Sequence, residues 1–272
     1  YVLDQTFARL SALERKILYW LAIEREPVTL ATLQSNLIQP RAQHGIVDAL
    51  RALVRRCLIE QEGERFGLQN VVMEYITDQL VQEIGNEIEN APWLNANQTT
   101  CLTETSTNRF ALVKTRAKAY VRESQIRLLL APVAARLTAS LGKASVARRI
   151  QEWFHHLRTN TPLAPGYAAA NLLHLLLHLE TDLHNYDFSQ LVFHQANLQG
   201  VRLPPVTFAQ AHFEDSLFTE PFSGIVSLAF FPNSLYLAAG THTGAIFVWG
   251  LADQSIARVL SGHTEPAFIA LS

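Results

Sequence analysis

The sequence predicts a multidomain α+β protein, and three different periodicities along its 272 residues support that prediction. Apolar residues recur at helical spacing through most of the first 185 residues. Large apolar residues then recur at every fifth position over 186–218, and apolar and polar residues alternate over 224–249. Because the three periods require different structures, we divide the chain into four predicted segments: 1–85, 86–185, 186–220 and 221–272.

Composition and charge narrow the classes of protein that the chain can represent. Its residues are 49% hydrophobic and 17% charged, as in ordinary folded domains, and the net charge of −2 does not indicate a nucleic-acid partner. No membrane span or export leader is visible, and Cys57 and Cys101 lie in unrelated contexts, so we expect a cytoplasmic protein with reduced thiols. The sequence starts without Met inside a helical pattern, and we therefore expect a longer parent protein.

The first segment predicts a winged helix, in which three helices are followed by a β-hairpin. Ser11 and Glu14 have the spacing of a capping box at the start of the first helix. Thr29 can cap a second helix, and apolar residues at helical spacing place the third over 42–56. The stretch "CLIEQEGERFGLQ" then alternates on either side of Gly63, which predicts the hairpin wing.

A winged helix can bind DNA through basic side chains on its third helix, here Arg51, Arg55 and Arg56. The predicted wing, however, contains three glutamates and one arginine, and this charge would repel phosphate. A protein-protein or intramolecular role is therefore our main interpretation. The alternative is a winged-helix DNA-binding regulator with an appended repeat scaffold.

The second segment predicts a helical bundle. Helical spacing resumes at Arg109 and continues over 144–158 and 166–180, with an interruption expected at Pro132. His174 and His178 share one helix face, but a metal site needs further ligands, so we expect packing and no metal. A basic and aromatic group that could suggest a nucleotide site also fits a solvated helix face: Arg148, Arg149, Trp153, His155 and His156.

The third segment repeats every five residues. The third position of each pentad is Phe or Leu: Phe188, Phe193, Leu198, Leu203, Phe208, Phe213 and Phe218. Neither a strand nor a helix holds this phase for seven repeats, whereas a square coil with one pentad on each side does. We predict a short right-handed β-solenoid that resembles pentapeptide-repeat proteins. The seven Phe and Leu side chains, which we call the ladder, would point to the axis. The corners would lie at the fourth and fifth positions of the pentads, as at Gly200 and Pro204-Pro205, and the solenoid would stack on the preceding helix.

The fourth segment predicts strands near 224–230, 235–239 and 245–249, with a fourth strand after them. Trp249 and the later pair Gly262-His263 stand where WD repeats have such residues. The segment is therefore similar to the first blade of a WD-repeat β-propeller and the start of the second.

Two positions depart from the WD pattern. Thr243 and Gly250 stand where WD repeats usually have aspartates. The Asp-His-Ser/Thr-Trp hydrogen-bonded tetrad of that family is therefore not expected to form completely in this blade.

The order of these pieces resembles a known family. "LSALERKILYWLAIEREPVTLATL", "LRALVRRCLIEQEGERFGLQNVVMEYIT" and "LAPGYAAANLLHLL" look like the region after the nucleotide-binding domain of bacterial, cyanobacterial-type STAND (NB-ARC) signalling ATPases with WD-repeat C-termini. In that family the winged helix folds over bound ADP, and a motif after the wing approaches its phosphate. The resemblance places Gln69 at that nucleotide-sensor position, whereas the alternative is that Gln69 simply ends the wing strand.

The resemblance implies a role in signal transduction rather than catalysis by these residues. No G-x-x-x-x-G-K-[ST] sequence is present, so we expect no enzyme activity and no cofactor here, with ATP or ADP and Mg²⁺ bound elsewhere in the parent ATPase. The expected partners are its nucleotide-binding domain and propeller and an unidentified protein or ligand, without nucleic acid or membrane.

Overall fold

A computed structural model of the protein describes residues 2–37, 45–91, 102–201, 203–218, 224–251, 255–260 and 262–270. Residues 1–218 and 219–272 form two compact units. The α+β class is confirmed, because the first unit is mainly helical with small sheets and the second is a four-stranded antiparallel sheet. Cys101 and the start of the predicted third helix, 42–44, lie outside the described residues, and the four-segment division stays a prediction.

In the described residues, the first unit begins with four helices and a small sheet. Their bounds are α1 Val2–Ala8, α2 Ala12–Glu24, β1 Val28–Thr29, α3 Leu30–Asn36, α4 Ile46–Arg55, β2 Ile59–Glu62 and β3 Arg65–Leu68. The sheet is antiparallel with the order β1-β3-β2. The predicted capping box is confirmed, since Ser11 Oγ accepts from the Glu14 N–H at 3.2 Å and the Glu14 carboxylate accepts from the Ser11 N–H at 2.7 Å. The hairpin around Gly63 is confirmed by its strand pairing.

Within the described residues, six further α-helices and a 3-10 helix at Leu102–Glu104 follow in the first unit. The α-helices are α5 Asn70–Asn90, α6 Ser106–Arg109, α7 Ala119–Gln125, α8 Ala131–Leu141, α9 Lys143–Asn160 and α10 Ala168–His178. A π turn at Ile126–Leu130 joins α7 to α8 where the sequence predicted an interruption at Pro132. Pro132 has no N–H to donate to the preceding turn of the helix. The wider π turn just before it accommodates this missing backbone hydrogen bond. None of the helices in the described ranges is long and apolar enough to cross a membrane.

The prediction that helical structure resumes at Arg109 is wrong for residues 110–118, which are not helical. This stretch includes a buried apolar run at 110–113. Its backbone groups bond to distant side chains instead of to the preceding turn. The Leu112 N–H, for example, donates to Asn171 Oδ1 of α10 at 2.8 Å. These long-range acceptors replace the local helical bonds that apolar spacing alone suggested.

The first 218 residues share one hydrophobic core. Trp20 of α2 packs edge-to-face on Phe110 and Tyr167, with ring centres 5.7 and 5.3 Å apart. Phe154 of α9 packs in the same way on Phe188 of the third predicted segment, at 5.3 Å. The predicted boundary between residues 85 and 86 lies inside α5.

Residues 186–218 wind so that positions twenty apart lie side by side. Strands β4 Val192–His194 and β5 His212–Glu214 pair in parallel, with Phe193 opposite Phe213. Isolated bridges continue the same offset at 187/207 and 197/217. The rings of Phe193 and Phe213 stack at 5.0 Å. An offset of twenty fits four pentads per turn. We call the described residues of 186–218 the coil, with 186–201 as its inner turn and 206–218 as its outer turn.

The corners of this winding lie at the fifth position of the pentads. These positions have left-handed backbone angles, with φ between 48° and 67°: Gln190, Gln195, Gly200, Gln210 and Asp215. Pro205 stands at the same position, but its ring fixes φ at a negative value, so this corner has a different conformation.

The second unit is one antiparallel meander. Its strands are β6 Ile225–Phe230, β7 Tyr236–Thr241, β8 Ile246–Gly250 and β9 Ser255–Leu260, in that order across the sheet. The three strands predicted near 224–249 and a fourth after them are therefore confirmed. Many of its large apolar side chains face solvent, and Phe230 and Phe268 are 65% and 79% exposed.

Candidate functional site

A buried polar group of the first unit surrounds Lys114, which is only 8% exposed. Its ammonium donates to Glu24 Oε1 at 2.5 Å and to Asn36 Oδ1 at 2.9 Å, and Asn36 Nδ2 donates to the same glutamate oxygen at 2.6 Å. The ammonium also lies 6.0 Å from the ring centre of Trp20. Since a buried charge is costly unless it is paired and hydrogen-bonded, these contacts fix the stretch 110–118 against α2 and α3.

Side chains at the end of α7 and at the start of α10 pack around this ion pair. Gln125 is completely buried; its Oε1 accepts from the Lys114 N–H at 2.9 Å and its Nε2 donates to the Ile23 carbonyl at 2.8 Å. The Tyr167 hydroxyl donates to the Asn36 carbonyl at 3.1 Å. Burial raises the pKa of Tyr167, so this hydroxyl keeps its proton and remains a donor.

The residue after Lys114 connects the same stretch to both turns of the coil. The Thr115 N–H donates to Gln195 Oε1 of the inner turn at 3.1 Å, and its hydroxyl donates to the Asp215 carbonyl of the outer turn at 2.6 Å. Arg116 forms an ion pair with the Asp215 carboxylate at 2.7 Å. We call the buried set the junction: Glu24, Asn36, Lys114, Thr115, Gln125 and Gln195.

The junction is suited to holding segments in register. Its ion pair forms only when α2, α3 and the stretch 110–118 are correctly placed, and polar groups in a low-dielectric interior favour one arrangement over loose alternatives. Movement of α2 or α3 would therefore either move 110–118 with it or break a buried charge pair.

Sequence reasoning did not find the junction. One weak signal exists, because Lys114 directly follows the apolar run 110–113 and so stands where a charge is unexpected. Its partner could not be identified from the sequence, since Glu24 lies 90 positions earlier.

Gln69, the predicted nucleotide-sensor candidate, lies between β3 and α5. It is exposed and occupies the N-cap position of α5, where its side chain makes no capping hydrogen bond, while its carbonyl accepts from the Met73 N–H at 2.8 Å. Gln69 therefore directly follows the wing strand, and the sensor role stays a prediction.

The arginines considered for DNA binding do not form one free basic surface. Arg56 forms an ion pair with the buried Glu14 at 3.3 Å, and Arg51 lies 3.8 Å from Asp48 on its own helix. Arg55 is exposed and has no ion-pair partner among the described residues. Arg56 is thus held by a buried carboxylate, whereas the pair of Arg51 and Asp48 is exposed to solvent.

The histidines on α10 have different environments. His174 is buried, and its Nε2 accepts from the Asn197 N–H of the inner turn at 2.9 Å, whereas His178 is exposed. The described residues contain no group of three or more His, Cys, Asp or Glu side chains that could hold a metal ion. His174 is therefore part of the packing between α10 and the coil.

The basic and aromatic group on α9 is divided between two faces of the helix. Trp153 is completely buried, while Arg148 and His155 are exposed and Arg149 pairs with Glu152 at 3.5 Å. The helix does not bring this group together as one surface.

The ladder residues do lie together, and their burial decreases along the chain. Phe188 and Phe193 are fully buried, Phe213 is partly buried, and Phe218 at the end is 52% exposed. The remaining ladder residues follow the same trend: Leu198 is buried, and Leu203 and Phe208 are partly buried. The ladder thus points inward where a neighbouring layer exists on both sides.

The residues that resemble a WD repeat lie in the second unit. Trp249 on β8 pairs with Leu237 of β7 and stacks on Phe247, with ring centres 6.0 Å apart. Gly262 and His263 follow β9 and are exposed. Their role at the start of another repeat stays a prediction.

Comparison with known proteins gives one informative match. The chain is 38% identical over 289 aligned positions to an uncharacterized WD repeat-containing protein of Nostoc sp. (strain PCC 7120), and the alignment covers 97% of this chain but 23% of that protein. No protein-family profile and no solved structure matches the chain. The chain is thus homologous to a part, spanning about a quarter of the length, of a larger cyanobacterial WD repeat-containing protein.

Proposed function

We propose that this chain is the non-catalytic connecting region of a STAND-type signal-transduction NTPase. It would join a nucleotide-binding domain, which binds ATP or ADP with Mg²⁺, to a WD-repeat propeller that senses a ligand or a protein. The similarity to a larger WD repeat-containing protein supports the proposed connection to a WD-repeat propeller. The order of the elements supports the remainder.

The small sheet supports a winged helix at the N-terminal side. Helices α2, α3 and α4, a two-residue strand and a hairpin occur in the order that this fold requires, and β1 pairs with the second strand of the hairpin. The ion pair of Arg56 with the buried Glu14 favours an intramolecular role for this module over DNA binding.

The coil supports a pentapeptide-repeat solenoid of less than two turns. Parallel pairing at an offset of twenty, stacked rings and left-handed corners at the fifth position all agree with this fold. So short a solenoid depends on the layer beneath it, and α9 and α10 provide that layer through Phe154 and His174.

The second unit supports a propeller blade. Four antiparallel strands in sequential order are the usual blade, and neighbouring blades normally cover its two faces. Leu228, Phe230 and Phe268 are exposed apolar side chains that such neighbours would cover.

The buried ion pair between Lys114 and Glu24 is the observation that carries the proposed coupling. It ties the proposed winged helix to the stretch 110–118, and Thr115 continues the connection to the coil. A displacement of the winged helix on nucleotide exchange would therefore reach residues 186–218 through the junction.

Hydrogen exchange on the full-length parent protein tests this coupling. In the wild type, we expect exchange at 60–75 and at 186–198 to differ between the ATP-bound and ADP-bound forms. In Lys114→Met, we expect the difference at 60–75 to remain and the difference at 186–198 to be lost, because the lysine no longer links the segments.

The chain provides a matched control. Lys118 forms an ion pair with Glu26 at 2.9 Å, also between the same two segments, but this pair is exposed to solvent. Lys118→Met should preserve the wild-type pattern. Identical exchange at 60–75 in the two nucleotide states would contradict the proposed function, and loss of coupling in both variants would contradict the special role of the junction.

A further inference from the structure

A cavity of about 390 Å³ lies between α2, α5 and α6, away from the junction. Phe7, Tyr19 and Phe110 provide an aromatic wall, with neighbouring ring centres 5.8 and 5.1 Å apart in edge-to-face geometry. A cavity of this size can hold a small organic molecule, and aromatic walls commonly contact the apolar part of such ligands.

The polar lining of this cavity is mainly cationic. Arg15, Lys16 and Arg109 line it together with a single carboxylate, that of Glu83. Both Glu83 oxygens already accept hydrogen bonds at 2.6 Å, one from the Tyr19 hydroxyl and one from the Ser106 hydroxyl. Glu83 is thus engaged with the cavity wall.

Lys16 and Arg109 form a pair of like charges at one side of the cavity. Partial burial and then the charge of Arg109 lower the pKa of Lys16, and burial lowers the pKa of Arg109. Lys16 has no ion-pair or hydrogen-bond partner within the described part of the chain. Arg109 pairs with Glu104, but its Nε–H is buried without an acceptor among the described residues.

The carboxylates of Glu104, Glu87 and Glu83 offset part of the Arg109 charge. Within the described residues, the Lys16 ammonium and the buried Arg109 Nε–H remain unused donors, and an anion between them would accept from both. Gln79 and Gln82 also line the cavity and add neutral hydrogen-bonding groups. The cavity therefore combines a site for negative charge with an apolar wall.

We propose that the cavity between α2, α5 and α6 binds a small oxyanion, a phosphate or carboxylate, carried on a compact planar apolar group. Lys16 and Arg109 would bind the oxyanion, and the aromatic wall would contact the planar group. This site is independent of the proposed signalling function, since it does not involve the junction or Gln69.

Titration calorimetry on the chain of 272 residues tests the site with three probes: phenyl phosphate, benzoate and inorganic phosphate. We expect saturable binding of at least one aryl probe and weaker binding of inorganic phosphate, which lacks the planar group. The stronger of the two aryl probes identifies the oxyanion as phosphate or carboxylate.

Variants at two lysines connect binding to the cavity. Lys16→Met should weaken binding of the aryl probe by about tenfold or more, because it removes a charge-assisted hydrogen bond. Lys143→Met changes an exposed lysine at the start of α9 and should leave binding unchanged. Circular dichroism establishes that each variant is folded.

Three results would overturn the proposal: no saturable binding of either aryl probe in the millimolar range, equal affinity of Lys16→Met and the wild type, or inorganic phosphate binding as tightly as the aryl probes. Should Lys16→Met not fold, Lys16→Gln, which keeps a polar side chain but removes the charge, provides the same comparison. An unchanged affinity in that variant would then count against the site.

Discussion

The inner and outer turns of the coil are built from the same pentad but lie in different environments. Phe193 of the inner turn is fully buried, whereas its stacking partner Phe213 in the outer turn is partly buried. The inner turn packs between the outer turn on one side and helices α9 and α10 on the other. The outer turn has the inner turn on one side. The pentad sets which side chains point inward, and the neighbouring layers determine how much stability each provides.

The largest expected contrast between the turns comes from removing one ring of the stacked pair. Phe193→Ala should lower the free energy of unfolding by about 4 kcal/mol, since it leaves a cavity in a fully packed layer. Phe213→Ala should cost about 2 kcal/mol, because its ring is partly exposed and the site can relax. Urea denaturation measures both values, and equal losses would show that the two turns are equivalent.

A titration between pH 7 and 4 should distinguish the inner turn through His174, the histidine of α10 that accepts a hydrogen bond from it. Burial lowers the pKa of His174 from 6.5 to about 4, while its Nε2 accepts from the Asn197 N–H. Because the unfolded chain then binds the proton more readily, His174 stabilises the fold fully above pH 6.5. This contribution, about 3 kcal/mol, is lost progressively as the pH falls toward 4.

His174→Gln removes the titrating group but keeps an acceptor for the Asn197 N–H. Its stability should therefore fall less than that of the wild type between pH 7 and 4, as measured by urea denaturation at each pH. His178→Gln, at an exposed position on the same helix, should follow the wild type. Parallel curves for the wild type and His174→Gln would contradict the assignment.

The smallest expected effect concerns a hydrogen bond between the turns. Ser216 Oγ of the outer turn accepts from the Ala196 N–H at 3.0 Å and also lies 3.0 Å from the Phe193 carbonyl. Ser216→Ala should lower the free energy of unfolding by about 1 kcal/mol. Thr207→Ala, at an exposed position of the same turn, should have no comparable effect, and similar losses in the two variants would show that this bond adds no stability.

Local features of the fold were predictable because their causes are local. The capping box of Ser11 and Glu14, the hairpin at Gly63 and the pentad spacing each depend on residues within a few positions of one another. The non-helical stretch 110–118 was not predictable, because the acceptor for the Leu112 N–H is a side chain 59 positions away. The spacing of apolar residues indicates which side chains are buried. It does not indicate which backbone groups form hydrogen bonds with residues far away in the sequence.

The candidate site shows the same limit. Exposed candidates such as Gln69 can be chosen from motif position, whereas the engagement of Arg56 by Glu14 depends on the packing of α4 against α2. The buried pair of Lys114 and Glu24 likewise requires the tertiary fold to bring residues together across 90 positions. Sequence patterns therefore predicted local elements of this protein but not the contacts between residues that are distant in the sequence.

Thr115 and Arg116 both hold Asp215, three residues before the exposed end of the ladder at Phe218. A pulling force on the chain at Phe218 would therefore pass through Asp215 to Thr115 and Arg116. It would reach the helices of the first unit without first unwinding the two turns of the coil. The coil would then transmit force as a rigid element, attached to the helices at Asp215, and would not extend under it.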